Sequence, residues 1–567
     1  MTAPSEAAPD PAGRNEDESP SSNRTAPAVP SPGAHASAGG GASGVGGEPE
    51  VGDADAMGAA GAAAPTGVES GGRMLAGRPA GGTGAPRPVV AAWVTALGLF
   101  VLVGVAGESA AEPPLGASTV HPPWDLGLGL PPAVVDAALL AAYLLAAAAV
   151  WRALRAVEDG WRPRPRTVGV AAVLAVGALL LVPPFGSADH LSYVAYGRIA
   201  AEGGDPYAVA PDDWPPGDPV VDSAEVPWDD TTSVYGPVAT AVQAAVAELG
   251  GGSLRVTVWL WQLVAGASFL VTGLLLHRRA RAPAARARVA VLWTLNPLLL
   301  GVLVAGAHLD AVSALAAVAC LALGVRDVSS SRFVAMQLAA GLALGVAAGS
   351  KLPYAAAGVA VLWAHRRLPR LQQAVGAAAL LVGAAAVLVP AHLWAGPHVY
   401  DQARDASRFT SLATPWRPLV NAASALGWAG ARDAVPVAFA LVALLTLLAT
   451  IGLLRPLARR DRQDGALALL ALAVAYVVAA PYVLPWYDAL IFAPLALVAG
   501  TLLDRPLLLR LTVLAVAYVP GRAAGEPSTV SDALLDLRQF AAPVATAGVL
   551  VWLLVTGLRA LRREPGH

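Results

Sequence analysis

Beyond Arg87, apolar residues fall in long runs separated by short polar stretches along almost the whole chain. A hydrocarbon core of about 30 Å takes roughly 20 apolar residues as helix. Fourteen runs approach that length: 89–107, 133–151, 168–185, 256–276, 289–306, 309–325, 333–350, 352–364, 372–393, 434–454, 465–481, 488–503, 506–520 and 539–558. The pattern predicts an all-α fold, a polytopic transmembrane helical bundle of about 14 spans. The run 352–364 is short and reads as half of a broken helix. Val234–Leu249 is also apolar, but it holds Gln243 and Glu248 and ends in GGGS, so it reads as an external interfacial helix. Short amphipathic helices are expected in the external loops.

Residues Met1–Arg87 are rich in Ala, Gly, Pro, Ser and Glu and hold few large apolar side chains. Such a stretch cannot bury enough surface to offset its ordering entropy. The expected organisation is a disordered cytoplasmic tail over 1–88 and one membrane domain over 89–563. The first apolar segment starts at Val89, and no cleaved signal peptide is expected.

Composition agrees with a membrane protein: of 567 residues, 56% are apolar and 14% charged. No basic stripe of the kind that holds nucleic acid is present. Cys320 is the single cysteine, which excludes an intrachain disulfide or a cysteine metal cluster. Of 38 basic residues, 37 are arginine and one is Lys351.

Arginine clusters set the orientation, because cytoplasmic loops are enriched in Arg and Lys. Arg152, Arg155, Arg162, Arg164 and Arg166 form one cluster, and Arg278, Arg279, Arg281, Arg286 and Arg288 another. Two spans separate them if Val234–Leu249 stays outside the membrane. Arg366, Arg367 and Arg370 then fall on the same side, with Arg455, Arg459, Arg460 and Arg462, and with Arg559, Arg562 and Arg563. The opposite, external face receives Asp189, His308, Asp310, Lys351, the segment 394–432 and PYVLPWYD (481–488). Polar groups so widely separated in sequence and sharing one face locate a candidate site.

Gly186–Thr232 carries ten acidic residues and one basic residue. At its start, Asp189 stands just beyond a span, where a carboxylate can deprotonate an acceptor hydroxyl; the plainer reading is a helix-end charge. His190 beside it reads first as structural. Tyr193 and Tyr196 share a helical face, and Tyr207 follows the turn Gly203-Gly204-Asp205-Pro206. Lys351 in AGSKLPY either snorkels to the interface or faces a lipid phosphate, whose charge grows as its bond to sugar breaks. Arg404, Arg408 and Arg417 are rival phosphate ligands. His308 and Asp310 diverge on a regular helix, and a tight turn is needed to bring both into one site. Trp486 and Tyr487 flank Asp488 as a girdle or as a sugar or prenyl contact. No P-loop, dinucleotide fingerprint or GxSxG motif stands in a strand–helix context.

These residues carry a resemblance. SADHLSYVAYGRIAAEGGDPY, SVYGP (233–237), NPLLLGVLVAGAHLD, GSKLPY and PYVLPWYD resemble, in order and spacing, the polytopic GT-C glycosyltransferases that use polyprenyl-phosphate sugars. The chain is most similar to the actinobacterial polyprenol-phosphomannose-dependent α-1,6-mannosyltransferases of lipomannan core synthesis, from about 89 to 560. The resemblance implies a bacterial plasma-membrane enzyme with an external active site. It implies inverting transfer of mannose from a polyprenyl-phosphate-mannose donor to a mannan or glycolipid acceptor, forming an α-1,6 linkage. Asp189 is then the base. Lys351, Arg408 and Arg417 bind the donor phosphate, and His190, Tyr193, Tyr207, His308, Asp310, Trp486 and Tyr487 contact sugar or lipid. GT-C enzymes often carry paired acids where this chain has Asp189-His190, which favours a reaction without metal or other cofactor. The expected partners are donor, acceptor and membrane lipids, with no nucleic acid. Three rivals stay open: a transporter or flippase of lipid-linked sugars, a GT-C transferase for another sugar such as arabinofuranose, and a non-catalytic scaffold.

Overall fold

A computed structural model describes residues 84, 86–116, 120–325, 330–460 and 464–563. The expected tail, apart from its last few residues, lies outside the described residues, as does Arg462. Each predicted apolar run coincides with helix over all or part of its length. We number the helices α1 (Arg87–Ala106), α2 (Pro132–Glu158), α3 (Pro165–Leu180), α4 (Asp189–Ala201), α5 (Pro237–Gly250), α6 (Leu254–Arg279) and α7 (Pro283–Ala305). There follow α8 (Asp310–Gly324), α9 (Ser330–Ser350), α10 (Ala356–Ala364), α11 (Arg370–Ala395), α12 (Asp401–Ala406) and α13 (Trp416–Ala425). The last are α14 (Val435–Arg460), α15 (Asp464–Ala479), α16 (Ala489–Leu497), α17 (Asp504–Tyr518) and α18 (Thr529–Arg562). No strand occurs among the described residues. The first helix begins at Arg87, so the end of the expected tail at 87–88 is helical.

Eight of these helices are long and apolar enough to cross a membrane, and three shorter apolar ones span Pro165–Leu180, Asp310–Gly324 and Asp464–Ala479. The runs 352–364, 488–503 and 506–520 behave differently. The first becomes a tight turn, Leu352–Ala355, and then α10. In the second, helix is confined to α16, which holds Pro494, and the chain leaves helical geometry at Val498. Nine residues make about 14 Å of helix, which cannot cross a core of about 30 Å. Helix α17 carries Asp504, Arg505 and Arg510.

Close packing of small residues joins the bundle. A side chain at Gly341 would strike the backbone of Leu380, and one at Gly383 the backbone of Leu338, so α9 and α11 lie nearly in backbone contact. Gly452 and Gly557 do the same for α14 and α18. Cys320 is buried in the core.

Hydrogen bonds and ion pairs gather the arginine-rich helix ends. Arg505 at the start of α17 meets Glu158 at the end of α2 at 3.0 Å. Arg288 in α7 meets Asp504 beside it. Arg279 at the end of α6 donates to Val325 O at 2.9 Å, just after α8. His365 after α10 contacts Gly324 O, and Arg366 pairs with Asp464 at the start of α15. Thus α7 runs from an arginine-rich end of the bundle to an opposite end, where it turns at His308.

The Arg288–Asp504 pair is buried. Arg288 Nη1 and Nη2 donate to both Asp504 oxygens at 2.6 and 3.0 Å, and Nε donates to Val498 O at 2.8 Å. Removing one member of such a pair strands a charge, which costs about 3–5 kcal/mol, whereas an apolar replacement of both is close to neutral. We expect Asp504→Ala to lower the melting temperature in detergent sharply, and Arg288→Met with Asp504→Leu to recover most of it. Equal losses in single and double variants would show that the pair itself, not the stranded charge, sustains the fold.

Candidate functional site

At the end opposite the arginine clusters, four separate stretches converge: 187–193, 302–310, 351–354 and 485–488. The first is positioned by the loop after α3. Phe185 N–H donates to Ala305 O at 3.0 Å, and Gly186 N–H to Ala111 O at 2.8 Å. Gln262 Nε2 donates to Leu179 O at 3.0 Å, fixing the end of α3. Asp189 then opens α4, its own N–H donating to Ser187 Oγ at 3.1 Å. Tyr193, one turn on, donates its hydroxyl to Asp189 Oδ2 at 3.4 Å.

The second stretch owes its geometry to an unusual helix. The hydrogen-bond ladder of α7 widens to the π pattern over Ala290–Thr294 and Leu300–Ala305, around the Asn296–Pro297 break. Such widening frees carbonyls and redirects side chains. Asn296 Oδ1 caps the break by accepting from Leu298 N–H at 3.1 Å. Ala307 adopts a left-handed backbone with φ 50°, and Trp261 Nε1 donates to its carbonyl at 2.8 Å. A non-glycine residue there is strained. The resulting tight turn puts His308 and Asp310 in one cluster, as their spacing on a regular helix would not.

His308 Nδ1 lies 2.5 Å from Val302 O. A carbonyl only accepts, so Nδ1 carries the hydrogen and Nε2 of the neutral ring is an acceptor. That Nε2 lies 3.8 Å from Asp189 Oδ2, beyond hydrogen-bond range. Among the described residues Nε2 has no hydrogen-bond partner, and it faces the same Asp189 oxygen that accepts from the Tyr193 hydroxyl. The Trp486 ring stacks on His308 with centroids 3.5 Å apart.

Asp310 opens α8 and is committed elsewhere. Lys351 Nζ donates to its two oxygens at 3.0 and 2.8 Å, and the Tyr354 hydroxyl to Oδ1 at 2.9 Å. Lys351 Nζ also sits 3.4 Å from the centroid of the Tyr487 ring, a cation–π contact. Trp486 and Tyr487 are presented by a tight turn, Pro485–Asp488, whose Asp488 is fully buried and paired with Arg510 of α17. Arg510 Nη2 also donates to Val477 O at 2.9 Å.

Asp189 is 12% exposed. Burial raises its carboxyl; Lys351 and the hydrogen bonds from Ser187 and Tyr193 lower it, and Asp310 raises it, with a net position near 6. Burial, aided by Arg522, holds the neighbouring His190 down to about 3, so that ring is neutral at neutral pH. Tyr207 lies apart from the cluster, its hydroxyl 2.7 Å from Thr240 Oγ1. Arg408 is exposed on the surface, 3.6 Å from Asp433. Arg417 Nε donates to Thr410 O at 3.1 Å. Its segment docks beside the site, for Ser411 Oγ donates to Val483 O at 2.9 Å and Trp416 Nε1 to Ala479 O at 2.9 Å. Arg404 pairs with Asp401 on the surface.

Residues that the apolar pattern does not single out also shape the site. Tyr235, from SVYGP, packs edge-on against Tyr193 at 5.0 Å. Arg522, after α17, grips both oxygens of Glu225 and the carbonyls of Ser109 and Glu112, tying the acidic loop to the α1–α2 connection. Among the described residues, no three His, Cys, Asp or Glu side chains cluster as metal ligands.

Residues 90–366 match the family model described as "Alpha-(1->6)-mannopyranosyltransferase, N-terminal domain". That span includes Asp189, His308, Asp310 and Lys351 and ends before Pro485–Asp488. Over 195 residues the chain is 30% identical to Alpha-(1->6)-mannopyranosyltransferase A of Mycobacterium tuberculosis (strain ATCC 25618 / H37Rv), covering 33% of this chain and 36% of that protein. The match thus spans little more than a third of the relative's length. No solved structure matches this chain.

Lys351 is the sole lysine, so an amine-acylating reagent reads its environment directly. Burial lowers the Lys351 ammonium below its ordinary value, and the adjacent Asp310 carboxylate works against this and holds the proton on. We expect Lys351 to acylate slowly in the folded protein and roughly tenfold or more faster in Asp310→Asn. Peptide mass spectrometry measures both rates, and equal rates would mean that Asp310 does not restrain the amine.

Proposed function

Taking the chain as an α-(1→6)-mannopyranosyltransferase-like membrane protein, we propose that it transfers mannose from a polyprenyl-phosphate donor to a hydroxyl of a mannan or glycolipid acceptor, with inversion. The observation that carries this reading is the Asp189–His308 gap: a buried carboxylate poised near neutrality, facing an imidazole nitrogen that can only accept. A sugar hydroxyl arriving here donates its one hydrogen to the carboxylate, with the imidazole nitrogen as a second acceptor beside it. In the proposed reaction the hydroxyl oxygen attacks the anomeric carbon and Asp189 takes the hydroxyl proton. The bond from that carbon to the phosphate oxygen breaks, and its electron pair leaves with polyprenyl phosphate. One displacement turns a β-linked donor into an α-linked product and needs a single base. The reaction as proposed draws on no metal or cofactor.

Lys351 is the proposed partner of the donor phosphate. An arriving phosphate competes with Asp310 for the ammonium, so binding loosens the Lys351–Asp310 pair. Arg417 lies on the segment docked beside 479–483 and is a second proposed phosphate ligand, whereas the surface position of Arg408 gives it less support. Trp486 and Tyr487 offer faces for a sugar or an isoprenoid, with Tyr193 and Tyr235 packed edge-on against each other beside Asp189. By the positive-inside rule the arginine-rich end is cytoplasmic, and the site opens to the external face of the plasma membrane.

The test is transfer from radiolabelled polyprenyl-phosphate mannose to an oligomannoside by the purified full chain. Loss of a positioned base costs 10²–10⁴ in rate, so Asp189→Asn should fall by about that factor. Full transfer by this variant would remove Asp189 from the role of base. Its melting temperature near pH 7.5 should hold or rise: a carboxyl raised in the folded state is protonated less readily when unfolded, so ionising it in place disfavours folding. The pH profile follows the same group. The carboxylate is the active form, so transfer should rise through about pH 6 and fall tenfold per unit below it. A flat profile from pH 5 to 7.5 would contradict the proposed base.

A further inference from the structure

At the arginine-rich end, α2 and α17 part to leave a cleft of about 470 Å³. Its walls are Ala147 and Ala148 on α2 and Leu508 and Leu509 on α17, and its mouth holds Arg152 and Arg155. The α2 positions recur every three to four residues and so share one helical face. Thr512 also lines the cleft, but its hydroxyl is satisfied within its own helix, donating to Leu508 O at 2.8 Å. From Ala147 to Arg155 the wall runs about 12 Å along the helix.

The mouth has charge to spare. Two guanidinium groups lie near the Trp151 ring, Arg155 Cζ at 5.4 Å and Arg505 Cζ at 5.2 Å from its centroid. Arg505 is balanced by Glu158. Among the described residues, neither Arg152 nor Arg155 is ion-paired, and both are exposed. An apolar channel of limited depth that ends in two unmatched guanidinium groups and a tryptophan complements one kind of molecule: an acyl chain joined to an anionic phosphodiester. Guanidinium groups take phosphate oxygens in paired, charge-assisted hydrogen bonds. Basic pockets between helices at a membrane surface hold lipid headgroups by the same chemistry.

We propose that this cleft binds an anionic phospholipid, its phosphodiester on Arg152 and Arg155 and one acyl chain between Ala147, Ala148, Leu508 and Leu509. The site is at the other end of the bundle from Asp189 and does not depend on the sugar-transfer reading.

The experiment is native mass spectrometry of the full chain in detergent, with phosphatidylglycerol, phosphatidylcholine or inorganic phosphate added. Phosphatidylglycerol should be retained, and phosphatidylcholine, whose choline offsets the phosphate charge, should be retained far less. Each arginine near a headgroup contributes about a fivefold factor, so R152Q/R155Q should weaken retention roughly 30-fold. Both side chains are exposed, so folding is preserved, and an unchanged melting temperature checks this. A148F fills the channel without touching the charge and should also reduce retention, while R278Q, exposed elsewhere, should not. Wild-type retention by R152Q/R155Q would overturn the proposal. So would retention that inorganic phosphate abolishes and A148F leaves unchanged, since that would be a free-anion site.

Discussion

A charge drawn from water into an apolar bundle must find an opposite charge or lose its own. Around that constraint this fold is arranged. Arg288 is held by Asp504, Arg510 by Asp488, Lys351 by Asp310 and Arg522 by Glu225. Each pair joins segments far apart in sequence, so each also fixes which helices are neighbours. Asp189 departs from the rule. Its side chain accepts from Tyr193 one turn on, and instead of an ion-pair partner it faces the imidazole of His308 at 3.8 Å. A scaffold that matches its other cluster charges and leaves this one poised has concentrated its reactivity in a single oxygen pair.

The two ends of the bundle use arginine and aromatics differently. At the Asp189 end, aromatic rings are buried or half-buried and turned onto polar partners: Trp486 on His308, Tyr487 under Lys351, Tyr193 on Asp189. Rigid rings there hold small polar groups in fixed orientation. At the opposite end, guanidinium groups ring the helix termini, stack on Trp151 and Trp363, and close backbone carbonyls such as Val325 O. The first arrangement favours precise positioning, and the second favours an interface with anions and water.

Much of this was legible in the sequence. Apolar runs located the helices, and the parity of the arginine clusters grouped their ends as the contacts do. Asp189, His308, Asp310, Lys351, Trp486 and Tyr487 share one end because successive apolar segments run to and fro through the bundle and return these polar turns to one side. The failures have specific causes. The run 488–503 looks like a span because Pro494 and the residues after it are apolar, but proline and the Val498 break confine helix to nine residues. Arg510 lies within the apolar run 506–520, and only the fold shows that it meets Asp488. The turn that unites His308 with Asp310 depends on π widening and a left-handed alanine, which no periodicity signals. Tyr207 and Arg408 stand in suggestive sequence but face Thr240 and the surface.

Helix α17 carries one more implication, for biogenesis. With Asp504 and Arg505 in its first turn and Arg510 near its middle, it is a poor candidate for entering a bilayer alone, since a mid-helix charge such as Arg510 adds about 2.5–3.5 kcal/mol to insertion. Its partners are Arg288, Glu158 and Asp488, and all three precede it in the chain. By the time the ribosome releases this helix, the groups that neutralise it have already been made. The order of synthesis thereby supplies a solvent for its charges, and the helix can enter beside protein rather than through lipid.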